Sequence, residues 1–348
     1  MKPILAQLVA GHPLSTEQTI EAFELIMTGQ ATAAQIGALL GMLQLRGPTV
    51  EEITGAATVM RAKAVKVTVP AGLKVIDTCG TGGDHAQTFN ISTAAALVAA
   101  AVGRPRGIAV AKHGNRSVTS KSGSSTVLET LGVKLAVSSE TLTRCLDEAG
   151  ICFCFAPAHH PAMKYAAPVR QELGFRTLFN MIGPLTNPAQ AKRQVMGVFD
   201  ANLTEPIANV LLRLGAERAM VVHGQFLSDT SGLDELTTTG ISQVSEVYNG
   251  AVHTRHVNAA TLGLPKAGPE SLRVESPEQS AAFLHQIFAG AKGAPRDIVV
   301  LNAAAALVVA DLAMDLTQGI ALAQAALDSG AVAQVLEKLI ALTQADVT

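Results

Sequence analysis

The sequence predicts an α/β protein in two parts: a small all-helical N-terminal domain, and a larger domain with a mostly parallel central sheet flanked by helices. Three observations carry this reading. The first ~64 residues hold helix-start signals and no strand-like run. From Lys66 onward, short apolar runs alternate with helical stretches, the rhythm of parallel strands joined by crossover helices. Hydrophobic residues make up 48% of the 348-residue chain, but aromatics only 3%, with no Trp. The core is therefore built from Ala, Leu, Val and Ile, which suits helices packed on a sheet. The division is placed between residues 1–68 and 69–348.

In the N-terminal part, Ser15 with Gln18 and Thr49 with Glu52 have the capping-box spacing. Between them, Ala31 to Leu45 is apolar on most of its circumference, through Ile36, Leu39, Leu40, Met42, Leu43 and Leu45. So short a helical segment cannot easily cover such a helix, which points to packing on a second subunit. The plain alternative is packing on the rest of the same chain. Further on, strands are expected at Lys74–Asp77, Gly107–Ala111, Ile151–Phe155, Val195–Phe199 and Ala219–Val222. Helices are expected at Ser92–Val102, Thr126–Leu131, Ser139–Ala149, Thr204–Leu214, Leu316–Leu327 and Val332–Leu342. The uncharged run from Ile298 to Ala310 contains Asn302, is too short to span a bilayer, and reads as a buried core helix.

After the first strand comes Thr78-Cys79-Gly80-Thr81-Gly82-Gly83-Asp84, then Phe89-Asn90-Ile91-Ser92-Thr93 and an Ala-rich helix. Strand, glycine turn and helix start together make a place for an anion, because glycines let N–H groups approach and the helix dipole favours negative charge. A plain strand–helix turn is the alternative. The P-loop pattern is absent, and the dinucleotide pattern fails because His85 stands where its third glycine belongs. The chain carries a formal charge of −2, yet no carboxylate falls between Asp84 and Glu129, while Arg104, Arg106, Lys112, Arg116 and Lys121 do. That window holds a second loop, Lys112-His113-Gly114-Asn115-Arg116-Ser117-Val118-Thr119-Ser120-Lys121-Ser122-Gly123-Ser124, again between a strand and a helix. Two such loops at neighbouring strand ends can face one polyanionic ligand; a solvated basic turn is the alternative.

The remaining candidates are weaker singly. Asp234-Glu235 suits Mg²⁺, which favours oxygen ligands and is shared with substrate phosphates, although such pairs are commonly solvated surface. Arg170 can clamp a carboxylate with its planar fork, or be an ordinary surface residue. His159-His160 line a ligand site or lie on the surface, and the prolines of Gly183-Pro184-Leu185-Thr186-Asn187-Pro188 mark a rigid turn. Cys79, Cys145, Cys152 and Cys154 include no C-x-x-C pair, so neither a disulfide framework nor a zinc site is expected. Reduced thiols in a cytoplasmic protein fit best. The N-terminus lacks the long apolar core of a signal peptide. A pI near 6.5 gives no general reason to expect nucleic acid.

Jointly, GTGGD at Gly80–Asp84, N-x-S-T at Asn90–Thr93, KHGNRSVTSKSG from Lys112, HHPAMK from His159, R-x-E-L-G-x-R-T-x-F-N from Arg170 and GPLTNP from Gly183 resemble the anthranilate phosphoribosyltransferases. The resemblance covers nearly the whole chain. It implies transfer of the phosphoribosyl group of 5-phosphoribosyl 1-diphosphate to the amine of anthranilate, releasing pyrophosphate, in tryptophan biosynthesis. It implies a nucleoside phosphorylase/phosphoribosyltransferase-like fold, with part of 160–185 joining the helical domain, and a homodimer formed through that domain. By the same resemblance, Gly80, Gly83, Asp84, Thr88, Asn90, Ile91, Ser92 and Thr93 line the diphosphate and ribose. Lys112, His113, Gly114, Asn115, Arg116, Ser117, Val118, Thr119, Ser120 and Ser124 hold the rest of that substrate. Asn115 and Arg170 meet anthranilate, and Ser92, Asp234 and Glu235 hold Mg²⁺. Lys112 stabilises transition-state charge and His113 positions. One departure stands out: Gln225 to Ser231 separate Gly224 from Gly232, more than is usual in the family. A pyrimidine nucleoside phosphorylase and a non-catalytic nucleic-acid-binding relative are the rival readings.

Overall fold

The computed structural model describes residues 1–116, 123–226 and 232–346. Four helices open the chain: Lys2–Val9, Thr16–Met27, Ala33–Arg46 and Val50–Lys63. Both expected capping boxes form, and a third that the sequence reading passed over joins Thr32 to Gln35. Among the described residues eight strands follow: β1 (Lys74–Gly80), β2 (Ile108–Gly114), β3 (Ile151–Phe155), β4 (Arg193–Gly197), β5 (Arg218–Phe226), β6 (Gly232–Leu233), β7 (Gly240–Tyr248) and β8 (Ala251–Asn258). They form one sheet in the order β3-β2-β1-β4-β5-β7-β8, with β6 paired to β5. β1 to β5 run parallel; β6, β7 and β8 pair antiparallel.

The β7–β8 hairpin was not anticipated. Its signal was present: Asn249-Gly250 joins the strands, and both residues have positive φ (51° and 76°), as a two-residue hairpin turn requires. A second correction concerns β2, which continues to Gly114. Lys112 and His113 are therefore strand residues, 2% and 5% exposed, rather than members of an open loop.

Period-two alternation sends β4, β5 and β7 into two cores. Val195, Met220, Val222 and Val244 join the helices Ile91–Gly103, Pro277–Phe288, Ala294–Val309, Leu316–Asp328 and Ala331–Gln344. Met196, Val198, Ala219, Val221 and Val247 join the four N-terminal helices and residues 166–185. The apolar positions Ile36, Leu39, Leu40 and Leu43 are thus buried within the chain, which is the plain alternative above; Leu45 and Val9 stay exposed, at 91% and 78%. Among the described residues, no single helix is long and apolar enough to cross a membrane.

Candidate active site

Both glycine corners lie at the same rim, because β1 and β2 are adjacent, parallel and end at Gly80 and Gly114. In the first corner Gly82 and Gly83 take φ of 64° and 79°, a region open to glycine, and His85 and Gln87 are held there too. Thr88 closes the corner by bridging to Arg273. Asn90 accepts from the Ser280 hydroxyl at 2.7 Å, and Ile91, Ser92 and Thr93 form the first turn of the Ile91–Gly103 helix. Thr93 Oγ1 is buried without a hydrogen-bond partner. In the second corner Gly114 passes so close to Ser124 that a Cβ there would lie 2.6 Å from its hydroxyl. Asn115 Oδ1 accepts from the Arg116 N–H at 2.8 Å, and Arg116 pairs with Glu129 at 3.2 Å. Ser117, Val118, Thr119 and Ser120 lie outside the described residues.

A buried polar layer supports both corners. Lys112 Nζ donates to Thr78 O and to Ser92 Oγ, beneath the first corner, and burial pushes its pKa down. Asp77 accepts from the His113 N–H (3.1 Å) and Asn187 Nδ2 (2.7 Å), so one carboxylate ties β1, β2 and the 183–188 turn together. Burial pushes Asp77 up. His113 Nε2 stands 3.2 Å from His160 Nε2, which in turn meets Thr186 Oγ1 at 3.4 Å. Burial holds these histidines down to about 3 and about 4. His159 is buried too, against Val65 O, so the surface reading of the histidine pair is overturned.

The acidic turn comes from 150 residues away. Gly82 N–H donates to Asp234 Oδ2 at 2.7 Å, and Asp234 N–H donates to Asp84 Oδ2 at 3.2 Å. Asp84, Asp234 and Glu235 each offer an oxygen within 4.8 Å of the others. Burial first, then the Asp234 charge, pushes Asp84 up to about 7, and the same causes push Glu235 well above the usual carboxylate range. Glu235 Oε2 is buried with no hydrogen-bond partner. Converging carboxylates with an orphaned oxygen fit Mg²⁺. Ser92 lines the same small cavity as Asp234 and Glu235. Arg170 is not joined to either corner by any hydrogen bond or ion pair among the described residues; it lies over the Phe179 ring at 5.1 Å, and burial lowers its pKa.

Two family models match the chain: a glycosyl transferase family helical bundle domain over residues 2–64 and its a/b domain over 72–333. The anthranilate phosphoribosyltransferase of Acetivibrio thermocellus is 51% identical over 343 residues, 99% of this chain and 96% of the relative. That of Rhodospirillum rubrum is 52% identical, over 98% and 95%. This chain belongs to the anthranilate phosphoribosyltransferase family. The crystal structure of the Thermus thermophilus anthranilate phosphoribosyltransferase superposes with a TM-score of 0.90 at 40% identity, covering 98% of this chain and 99% of that one. The Saccharomyces cerevisiae anthranilate phosphoribosyltransferase in complex with PRPP and Mg shares the fold, with a TM-score of 0.87 at 24% identity over 98% and 97% of the two chains.

In this anthranilate phosphoribosyltransferase chain, sequence reasoning missed the supporting layer and one bridge. Asp77 and Asn187 carried a signal: a carboxylate inside an apolar strand must find donors. Arg176 stood in the R-x-E-L-G-x-R-T-x-F-N run with no role assigned; its Nη1 donates to Gly83 O at 3.2 Å while the guanidinium stacks on Phe199.

Proposed function

We propose that this rim transfers the phosphoribosyl group of 5-phosphoribosyl 1-diphosphate to the amine of anthranilate, giving N-(5-phosphoribosyl)anthranilate and pyrophosphate, in tryptophan biosynthesis. The observation that carries it is the meeting of two glycine corners and three carboxylates at one sheet rim, in a chain of this family. Gly80, Gly83, Asp84, Thr88 and Asn90 to Thr93 line the diphosphate and ribose. Gly114, Asn115, Arg116 and Ser124 hold the remainder from the second corner; the expected contributions of Ser117, Val118, Thr119 and Ser120 fall outside the described residues. Ser92, Asp234 and Glu235 hold Mg²⁺; the oxygen that Asp84 offers within 4.8 Å of both carboxylates supports this reading. Asn115 and Arg170 meet anthranilate. The helical part (1–68 with part of 160–185) forms one domain and 69–348 the other. A second copy covers the exposed Leu45 and Val9, and the buried free thiols suit the cytoplasm.

The reaction is substitution at the anomeric carbon through an oxocarbenium-like transition state. Negative charge grows on the departing diphosphate, so donors already in place contribute most. Lys112 Nζ, held beneath the first corner by Thr78 O and Ser92 Oγ, serves as one such donor, while the Gly82 N–H is met by Asp234 Oδ2. Bound Mg²⁺ supplies further positive charge for the leaving group. The attacking aromatic amine is neutral at pH 7 and needs alignment rather than activation. With a pKa of about 3, His113 is too weak a base to take its proton and serves to position. Arg170 holds the anthranilate carboxylate.

A fluorescence assay with anthranilate, the diphosphate substrate and Mg²⁺, omitting each in turn, tests this. Loss of turnover on every omission is expected, together with weakened Mg²⁺ dependence when Asp234 and Glu235 are both Ala. Phosphate-dependent cleavage of thymidine or uridine in place of turnover would overturn it.

A further inference from the structure

The helix Ala294–Val309 is an apolar core element: from Ile298 to Val309 no residue is more than 4% exposed. One amide, Asn302, stands in that stretch. A buried amide is costly unless its polar atoms are met. Asn302 Oδ1 accepts from the Leu236 N–H at 3.0 Å, and Nδ2 donates to Leu236 O and to Ile298 O, both at 2.9 Å. Two of these three bonds grip both backbone groups of a single residue, and that residue directly follows Asp234-Glu235. Asn302 also lines the small cavity that holds Ser92, Asp234 and Glu235. From the sheet side the turn lies on Gly197, where a Cβ would fall 1.5 Å from Asp234 O.

We infer that Asn302 is a positioning residue for the metal-binding carboxylates. Its two hydrogen bonds to the Leu236 backbone hold the C-terminal side of the acidic turn over the sheet, as the β5–β6 pairing of Gly224 with Leu233 holds the N-terminal side. Inside its own helix only Nδ2 finds a partner, Ile298 O; Oδ1 and the second N–H are met by the acidic turn. The inference rests on the proposed Mg²⁺ reading of that turn.

Calorimetric titration with 5-phosphoribosyl 1-diphosphate, without anthranilate and with or without Mg²⁺, tests it. In the unaltered protein Mg²⁺ is expected to tighten binding. Asn302→Leu is expected to lose roughly tenfold or more of the Mg²⁺-dependent affinity, the scale for residues that orient metal ligands, while binding without Mg²⁺ stays within about twofold. Equal tightening in Asn302→Leu and unaltered protein overturns the inference and leaves the metal reading standing. No Mg²⁺ effect in the unaltered protein overturns the metal reading itself, and the inference with it. Where Asn302→Leu does not fold, amide exchange of Leu236 in the unaltered protein decides. Protection comparable to the Ala294–Val309 helix supports the clamp; open-loop exchange overturns it.

Discussion

The Gly82 N–H donates to Asp234 Oδ2 at 2.7 Å, although the two residues are 152 positions apart. Asp84 returns the contact by accepting from the Asp234 N–H. The glycine corner and the acidic turn are therefore one unit, with an N–H of the corner met by a carboxylate oxygen of the turn.

That unit depends on close approach at two glycines, with unequal consequences. A Cβ at Gly197 would lie 1.5 Å from the Asp234 carbonyl oxygen, so Gly197→Ala must push the whole turn away. At Gly80 the nearest atom is Asp234 Oδ2, at 2.1 Å, which can swing aside. Gly197→Ala is expected to cost about 1–3 kcal/mol of stability and to weaken Mg²⁺-dependent binding of the diphosphate substrate. Gly80→Ala should spare stability and disturb binding only. Denaturant melts with substrate titrations check this; equal stabilities would refute the difference.

Arg170 lies over Phe179 with no carboxylate partner among the described residues. Arg170→Ala is expected to raise the KM for anthranilate far more than that for the diphosphate substrate, since only anthranilate offers it a carboxylate. Steady-state kinetics with each substrate varied in turn give the answer. Equal effects on both would remove the clamp role.

His113 and His160, held at about 3 and about 4, stay neutral in the folded protein at pH values where the unfolded chain protonates them. Between pH ~6.5 and ~4 the unfolded state thus binds more protons, and this pair makes stability fall as pH drops. Asp84, raised to about 7, acts oppositely, because there the folded state holds the extra proton and stability falls as pH rises. Comparing unaltered protein with His113→Asn/His160→Gln separates the two. The variant should lose less stability on acidification, by at most about 1.4 kcal/mol per pH unit per histidine. Parallel curves from urea melts would contradict the assignment.

Asp77 gathers the His113 N–H and the Asn187 amide in a fully buried setting. Asp77→Ala strands the His113 N–H, at about 1–3 kcal/mol for a buried unmet donor. Asp77→Asn retains one acceptor oxygen and should cost less. Thermal melts of the two variants side by side test the order; a more stable Ala variant would sink it.

What the sequence by itself determined is the local part of this protein. The capping boxes at Ser15 and Thr49, the strand–glycine–helix order around Gly80 and Gly114, and the pairing of Cys152 with Cys154 on one strand face (Sγ atoms 3.8 Å apart) all follow from spacings within a few residues. Tertiary structure decided what those spacings cannot encode. The order β2-β1-β4-β5 puts Gly80 beside Gly197 and brings Asp234 over both. Burial, which depends on every neighbouring element, turned His159 and His160 from loop candidates into core residues and Lys112 into a support beneath the corner. Asn302 shows the boundary most sharply. A lone amide among Ala, Val and Leu announces that a partner must exist, but only the packing of its helix on the sheet reveals that the partner is Leu236, next to the carboxylates.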